Sequence, residues 1–379
     1  MTDTTYNTTR MPLPDYRAIV AQDLAHIEAN LAHELAMLEG KRVLLTGGAG
    51  FLGYYLVQAL LHHNRHAKDP VSLTVLDNYL RGVPAWLTAL ESDPQLTLLE
   101  HDITRPLPEL GDFDYIIHAA SIASPKYYRK YPIETMDANV NGLRLLLEYS
   151  VAQQRKGRPI AGFLYYSTSE IYGDPTPENI PTPETYRGNV SCTGPRACYD
   201  ESKRYGETLC VNFARQYELP IAIARPFNNY GPGLKITDAR VLPDFMRNVL
   251  AGEDVVMYSD GSPTRTFCYI ADAICGYYKI LTKGRPGEAY NIGVEKPEVS
   301  MAELAERVVA LARDLLGYSG RVVRQTSGDA DYLTDNPNRR CPVIAKAREE
   351  LGYDPTISLD EGLKRSLVWY AHHPEAEEV

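Results

Sequence analysis

Arg42-Val43-Leu44-Leu45-Thr46-Gly47-Gly48-Ala49-Gly50-Phe51-Leu52-Gly53 is the stretch on which the reading of this chain turns. Arg42 to Thr46 has the length and apolar character of a short buried strand, and the apolar residues that run on through Leu60 and Leu61 have the length of a helix. The glycines therefore sit at a strand–turn–helix corner. Gly47, Gly50 and Gly53 stand at Gly-x2-Gly-x2-Gly, a spacing that permits a tight turn, close approach of backbone to a pyrophosphate and close packing of helix on strand. A glycine triplet means little without such a context, and here a second apolar strand, Leu73 to Leu76, follows and ends in Asp77. Its carboxylate can accept both ribose hydroxyls of an adenosine and repels a 2′-phosphate. The expectation is an α/β fold, a Rossmann-type doubly wound parallel sheet, holding NAD rather than NADP, with Gly47, Gly50, Phe51, Leu52, Gly53, Asp77 and Asn78 at the cofactor.

Working outward, Asp102-Ile103 follows the apolar stretch Leu96 to Leu99 and is placed to bracket the adenine. Tyr115 to Ala120 is the next strand, and small Ala119, Ala120 and Ser121 leave room for a cofactor across its end. His118 is read as a packed strand residue; no second histidine stands at ligand spacing, so no metal is expected. Asn139 is either a bridge between backbone and site or an exposed polar residue. Upstream, Val20, Leu24, Ile27, Leu31, Leu35 and Leu38 recur at helical spacing, with Asp15 a candidate N-cap and Gly40 a candidate stop. One amphipathic helix is expected, packed on the body or on a second subunit.

The strand Phe163 to Ser167 delivers Thr168, Ser169 and Glu170 to its carboxyl end, where ligands collect in open α/β sheets. Some thirty residues on, Tyr199 and Lys203 stand at i and i+4; on a helix they share one face, roughly 5–6 Å apart at Cβ. A fixed ammonium beside a phenol favours the phenolate and lowers a pKa near 10, which makes the tyrosine a usable base for an alcohol. Between them the segment from Gly173 to Pro195, with five prolines, fits a surface excursion or a substrate lid. After the strand Ile221 to Ala224 the regular alternation breaks down, so residues 1–40 are read as a helical extension, 41–230 as the Rossmann domain with the catalytic residues, and 231–379 as mainly substrate-binding, with some return to the sheet. Asn228, Arg240, Tyr258, Arg265 and, from the cluster Arg339-Arg340, Arg339 are the substrate candidates; arginines converging on a cleft suit a diphosphate.

Composition narrows the partners. Thirty-nine basic against 49 acidic residues give a formal charge of −10, with no basic run to follow a phosphate backbone, so nucleic acid is not expected. The six cysteines include no Cys-x2-Cys pair, no stretch approaches the ~18 apolar residues of a membrane span, and the first residues lack a signal-peptide core. The expectation is a cytoplasmic protein with no membrane partner.

Together the glycine fingerprint, the Thr168 triplet and Tyr199-x3-Lys203 resemble the extended short-chain dehydrogenase/reductase superfamily of nucleotide-sugar enzymes. Thr168 to Asp174, Gly194 to Arg204, Asp238-Ala239-Arg240-Val241 and Thr264-Arg265-Thr266-Phe267 look like the UDP-glucuronate decarboxylases in particular, over roughly Lys41 to Tyr370. The resemblance implies a bound NAD that cycles, a UDP-linked uronate as substrate, Tyr199 as base assisted by Lys203 and Thr168, and a homodimer paired through the helix after Tyr199 and the one from Asn139. It also separates subclasses. Family 4,6-dehydratases carry Asp where Ser169 stands, because expelling a hydroxyl as water needs an acid; loss of carbon dioxide does not. Simple 4-epimerases generally lack the equivalent of Glu170. A dehydratase, an epimerase and a non-catalytic NAD-binding regulatory protein are the alternatives.

Overall fold

The computed structural model describes residues 13–328, 334 and 336–373. Its centre is a seven-stranded, all-parallel sheet made of β1 (Arg42–Thr46), β2 (Ser72–Asp77), β3 (Leu96–Glu100), β4 (Tyr115–His118), β5 (Gly162–Tyr166), β6 (Ile221–Pro226) and β7 (Ala289–Ile292). The spatial order β7-β6-β5-β4-β1-β2-β3 reverses direction beside β1, which opens a crevice at the carboxyl ends of β1 and β4. These strands read as continuous apolar runs because helices cover both faces; Val43, Leu44, Leu45, Ile116, Phe163 and Leu164 are all essentially inaccessible. α3 (Phe51–Asn64) follows β1 directly, α4 (Leu143–Arg155) and α5 (Ala197–Tyr217) cover the opposite face, and α7 (Ile270–Lys283) precedes β7. The segment after β6 thus returns to complete the main sheet, while α6 (Val241–Ala251) and the short strands Val255–Met257, Thr264–Arg265 and Arg339–Arg340 build the facing wall of the crevice.

The expected single helix over 15–38 is two: α1 (Tyr16–Asn30) and α2 (Ala32–Leu38), broken at Leu31, whose φ of −121° and ψ of 15° are not helical. Asp15 is the N-cap, accepting the Arg17 N–H at 2.9 Å, and Gly40, just past the end, has a φ of +69°. The break lets both halves turn the same leucine stripe inward: Ile27, Leu31, Leu35 and Leu38 are fully buried. The extension belongs to the body of the protein. Asp23, inaccessible to solvent, accepts the hydroxyls of Tyr55 on α3 at 2.5 Å and Tyr269 at 2.6 Å, and pairs with Arg365 on α8 (Leu359–Ala371) at 2.6 Å. His26 meets Asp272 at 2.7 Å, and Glu34 holds Lys279 and Lys283 on α7. Among the described residues no helix is long and apolar enough to cross a membrane.

Candidate active site

A cleft of about 1800 Å³ lies at the carboxyl ends of the strands, walled by the glycine turn, the ends of β2, β4 and β5, the first turn of α5 and the segment after β6. On its cofactor side, Gly47 has a φ of +76°, and a Cβ there would come within 2.5 Å of the Ala120 backbone. A side chain at Gly53 would run into the Gly48 carbonyl. Asp77, at the end of β2, accepts the Ala49 N–H at 2.9 Å through one oxygen and the Tyr79 N–H at 2.8 Å through the other, so it ties the glycine turn to the neighbouring strand. Burial pushes its pKa up while these backbone bonds pull it down. Each carboxylate oxygen retains a lone pair for a ribose hydroxyl. Arg81, the cation close in sequence to Asp77, is committed elsewhere: it pairs with buried Asp238 at 2.5 Å and lies over the Tyr127 ring at 4.5 Å. Phe51, Leu52, Asn78, Asp102, Ile103, Ala119, Ala120 and Ser121 all line the same cleft, and the buried Ser121 hydroxyl has no partner among the described residues. A cradle of glycine and alanine backbone with an acid at the ribose position and an orphan hydroxyl across from it fits a dinucleotide.

On the opposite side, Thr168 caps the one-turn 3₁₀ helix Ser169–Tyr172, accepting the Glu170 N–H at 3.2 Å, and its side chain acts on Tyr199 on the first turn of α5. Lys203, one turn further on, is buried; its Nζ donates to the Tyr166 carbonyl at 2.7 Å and lies 5.9 Å from the centre of the Tyr199 ring. The expectation that the lysine draws the phenol's pKa down is not met. Burial dominates both groups: it pushes Tyr199 up to about 12, with Thr168 and Arg240 pulling the other way, and pushes Lys203 down to about 7. Tyr128, which the sequence reading missed, stacks on Tyr199 with ring centres 5.1 Å apart and planes within 10°. Nothing in its local sequence marks it, because the stacking joins residues 71 positions apart.

Glu170 sits between two arginines, one oxygen contacted by Arg196 and the other by Arg340. Burial alone would raise its pKa, but the two guanidiniums, with Arg265 adding to them, override that and hold it down to about 2. Arg265 itself, buried beside Arg340, is driven down to about 9. Ser169 is buried and lines the cleft, as do Asn228, Arg240, Tyr258 and Arg265. Arg339 does not. Adjacent residues of a strand point to opposite faces, and on Arg339–Arg340 it is Arg340 that turns into the cleft, whereas Arg339 is exposed and paired with Glu298 at 2.7 and 2.9 Å. The proline-rich segment from Gly173 to Pro195 contributes nothing to the cleft lining and is tied to the body of the protein, with Thr182 buried and Glu184 accepting the Asn291 N–H at 2.9 Å. His118 is packed in the strand, bonded to Thr46 Oγ1 at 2.8 Å and pushed down to about 3 by burial. Asn139, on the π-turn Ala138–Gly142, donates to Ser202 at 2.9 Å and so bridges to α5.

Three comparisons with known proteins bear on this geometry. A profile described as the NAD dependent epimerase/dehydratase family matches residues 43–293. UDP-glucuronic acid decarboxylase 3 of Arabidopsis thaliana is 39% identical over 322 residues, covering 85% of this chain and 86% of that protein. UDP-glucuronic acid decarboxylase 1 of Xenopus tropicalis is 35% identical over 340 residues, covering 89% and 73%. Among solved structures, UDP-glucose 4-epimerase of Thermotoga maritima with UDP-glucose superposes with a TM-score of 0.75 at 26% identity, covering 88% of this chain and all of the other. UDP-glucuronic acid 4-epimerase of Bacillus cereus, in complex with UDP-glucuronic acid and NAD, gives 0.70 at 25% identity, covering 88% and 99%.

Proposed function

Because the chain belongs to the NAD dependent epimerase/dehydratase family, we propose that it decarboxylates a nucleotide-linked uronic acid, taking UDP-glucuronate to UDP-xylose through a ketone at carbon 4 of the sugar. The observation that carries this reading is the state of the triplet. Ser169 is too weak an acid to assist a departing hydroxyl, and Glu170, held ionised by Arg196 and Arg340, has no proton to give. Dehydration needs such a proton at carbon 6; loss of carbon dioxide does not. The identity to proteins named UDP-glucuronic acid decarboxylases supports the same choice.

Gly47, Gly50, Gly53, Asp77, Asn78, Asp102, Ile103 and the Ala119–Ser121 segment would hold NAD, together with Tyr199 and Lys203 on the far side. When bound, NAD supplies a hydride acceptor that can also return the hydride. Tyr199 Oη takes the proton of the sugar 4-hydroxyl, with Thr168 beside it and Arg240, rather than Lys203, the cation that favours the phenolate. With carbon 4 a ketone, the carboxylate on carbon 5 is that of a β-keto acid, and the electrons left by departing carbon dioxide collect on the 4-oxygen. Tyr199 and Thr168 would hydrogen-bond that oxyanion; uptake of a proton at carbon 5 then consumes the enolate, and with the hydride restored to carbon 4 Tyr199 gives its proton back to the 4-oxygen to leave the pentose. Arg240, Arg265 and Arg340 provide the cations for diphosphate and carboxylate.

The reading extends to a cytoplasmic homodimer. Ile133 and Met136 on the short helix Pro132–Asp137 and Tyr205 on the adjoining α5 are large apolar side chains left 60%, 39% and 49% exposed on the face that a partner would cover. The six unpaired cysteines fit a reducing compartment. Incubation with a panel of nucleotide sugars and uronates, followed by mass spectrometry, tests the reaction. Loss of carbon dioxide from UDP-glucuronate is expected; loss of water from a nucleotide-linked glucose without it, or unchanged mass with altered sugar stereochemistry, rejects the decarboxylase reading.

A further inference from the structure

At one end of the cleft, α6 meets the short strand Val255–Met257 through Asn248, whose Oδ1 accepts the Val256 N–H at 3.2 Å. One turn earlier on the same helix face stands Asp244, and Asp244, Val256, Met257 and Tyr258 line the cleft together. The Asp244 side chain is 16% exposed and pairs with Arg247 at 3.0 Å. Asp238 and Lys126 are the other charged groups that act on it, the first raising and the second lowering its pKa, and burial, the largest influence, brings it up to about 6. It is therefore ionised at neutral pH. Nothing in the reaction described above uses it.

An ionised carboxylate is an acceptor only. It repels phosphate and sugar carboxylate alike, so in a cleft that receives both it suits the uncharged, donor-bearing part of the ligand, the nucleoside. Building on the UDP-sugar reading above, we infer that Asp244 sets the choice of nucleobase by accepting the imide N–H of uracil beside the Val256–Tyr258 edge. Uracil presents a donor at ring position 3. Cytosine presents a lone pair there, which would leave two acceptors facing each other in a buried site, and a site built around a hydrogen bond rejects the analogue that cannot make it.

The experiment is calorimetric titration of the full chain with UDP, CDP and UDP methylated at uracil N3. The wild-type protein is expected to bind UDP about 10- to 100-fold more tightly than either analogue, the range of a charge-assisted hydrogen bond. Asp244→Ala should lower UDP affinity by about that factor while leaving N3-methyl-UDP within about twofold of its wild-type value. Asp244→Asn, nearly isosteric and so safe for folding, keeps an acceptor but adds a donor for cytosine; it should narrow the UDP-to-CDP ratio. Equal wild-type binding of UDP and N3-methyl-UDP, an undiminished UDP-to-CDP ratio in Asp244→Asn, or equal weakening of both UDP forms by Asp244→Ala would overturn the assignment. These are binding measurements. If UDP-glucuronate loses no carbon dioxide while the uracil preference stands, the reaction reading fails alone; if carbon dioxide is lost and the preference is absent, only the base assignment fails.

Discussion

Glu170→Gln probes the electrostatic centre of the cleft. The substitution keeps the size and shape of the side chain and deletes the one charge on which Arg196, Arg265 and Arg340 all act. The folded protein holds Glu170 at about 2 against an ordinary 4.5, a difference equivalent to about 3 kcal/mol gained when this group ionises in the folded rather than the unfolded chain. Because the folded pKa is depressed, that stabilisation is fully present above the ordinary carboxylate range and is lost as pH falls from there through about 2. The substituted protein also leaves buried Arg340 without its carboxylate partner and Arg196 with Asp200 alone, at 4.0 Å, and breaking a buried pair in this way costs about 3–5 kcal/mol. At neutral pH it should melt several degrees lower and unfold at a lower urea concentration. The gap should hold down to the ordinary carboxylate range, then narrow. Saturating UDP should narrow it as well, since the diphosphate supplies the missing negative charge. A variant that melts with the wild type at neutral pH, or a gap that UDP leaves unchanged, would refute the account of Glu170 as the counter-charge of the arginine cluster.

Tyr199→Phe should reduce turnover of the uronate by ~10²–10⁴ with the melting temperature and bound cofactor retained, as read by product assay and by analysis of the denatured protein; near-normal turnover removes Tyr199 from the role of base. The small molecule released on denaturing the purified protein should be NAD or NADH, and NADP in its place would overturn the reading of Asp77. Asp23→Ala should destabilise the protein by about 3–5 kcal/mol in urea unfolding, because it strands the Tyr55 and Tyr269 hydroxyls and the Arg365 guanidinium in the interior. A loss under about 1 kcal/mol would mean that α1 is held by its leucines alone.

The features legible in the sequence are those whose meaning lies within a single strand–turn–helix unit. Gly47 and Gly53 specify their corner because only a missing side chain tolerates the approach of Ala120 and Gly48, and that demand is written at fixed local spacing. Asp77 at the end of β2, the Thr168 triplet at the end of β5 and Tyr199-x3-Lys203 on α5 are likewise set by strand ends and by the helical repeat. What only the tertiary structure decided depends on pairing and burial between distant segments. Arg340 rather than Arg339 enters the cleft because the short strand lies parallel to Thr264–Arg265 in one register and not the other. Leu31 leaves the helical region although the leucine spacing runs through it without a gap, so the local repeat does not record the break. The ionisation of Tyr199 and Lys203 follows from how completely the fold removes them from water, which the four-residue spacing between them does not record.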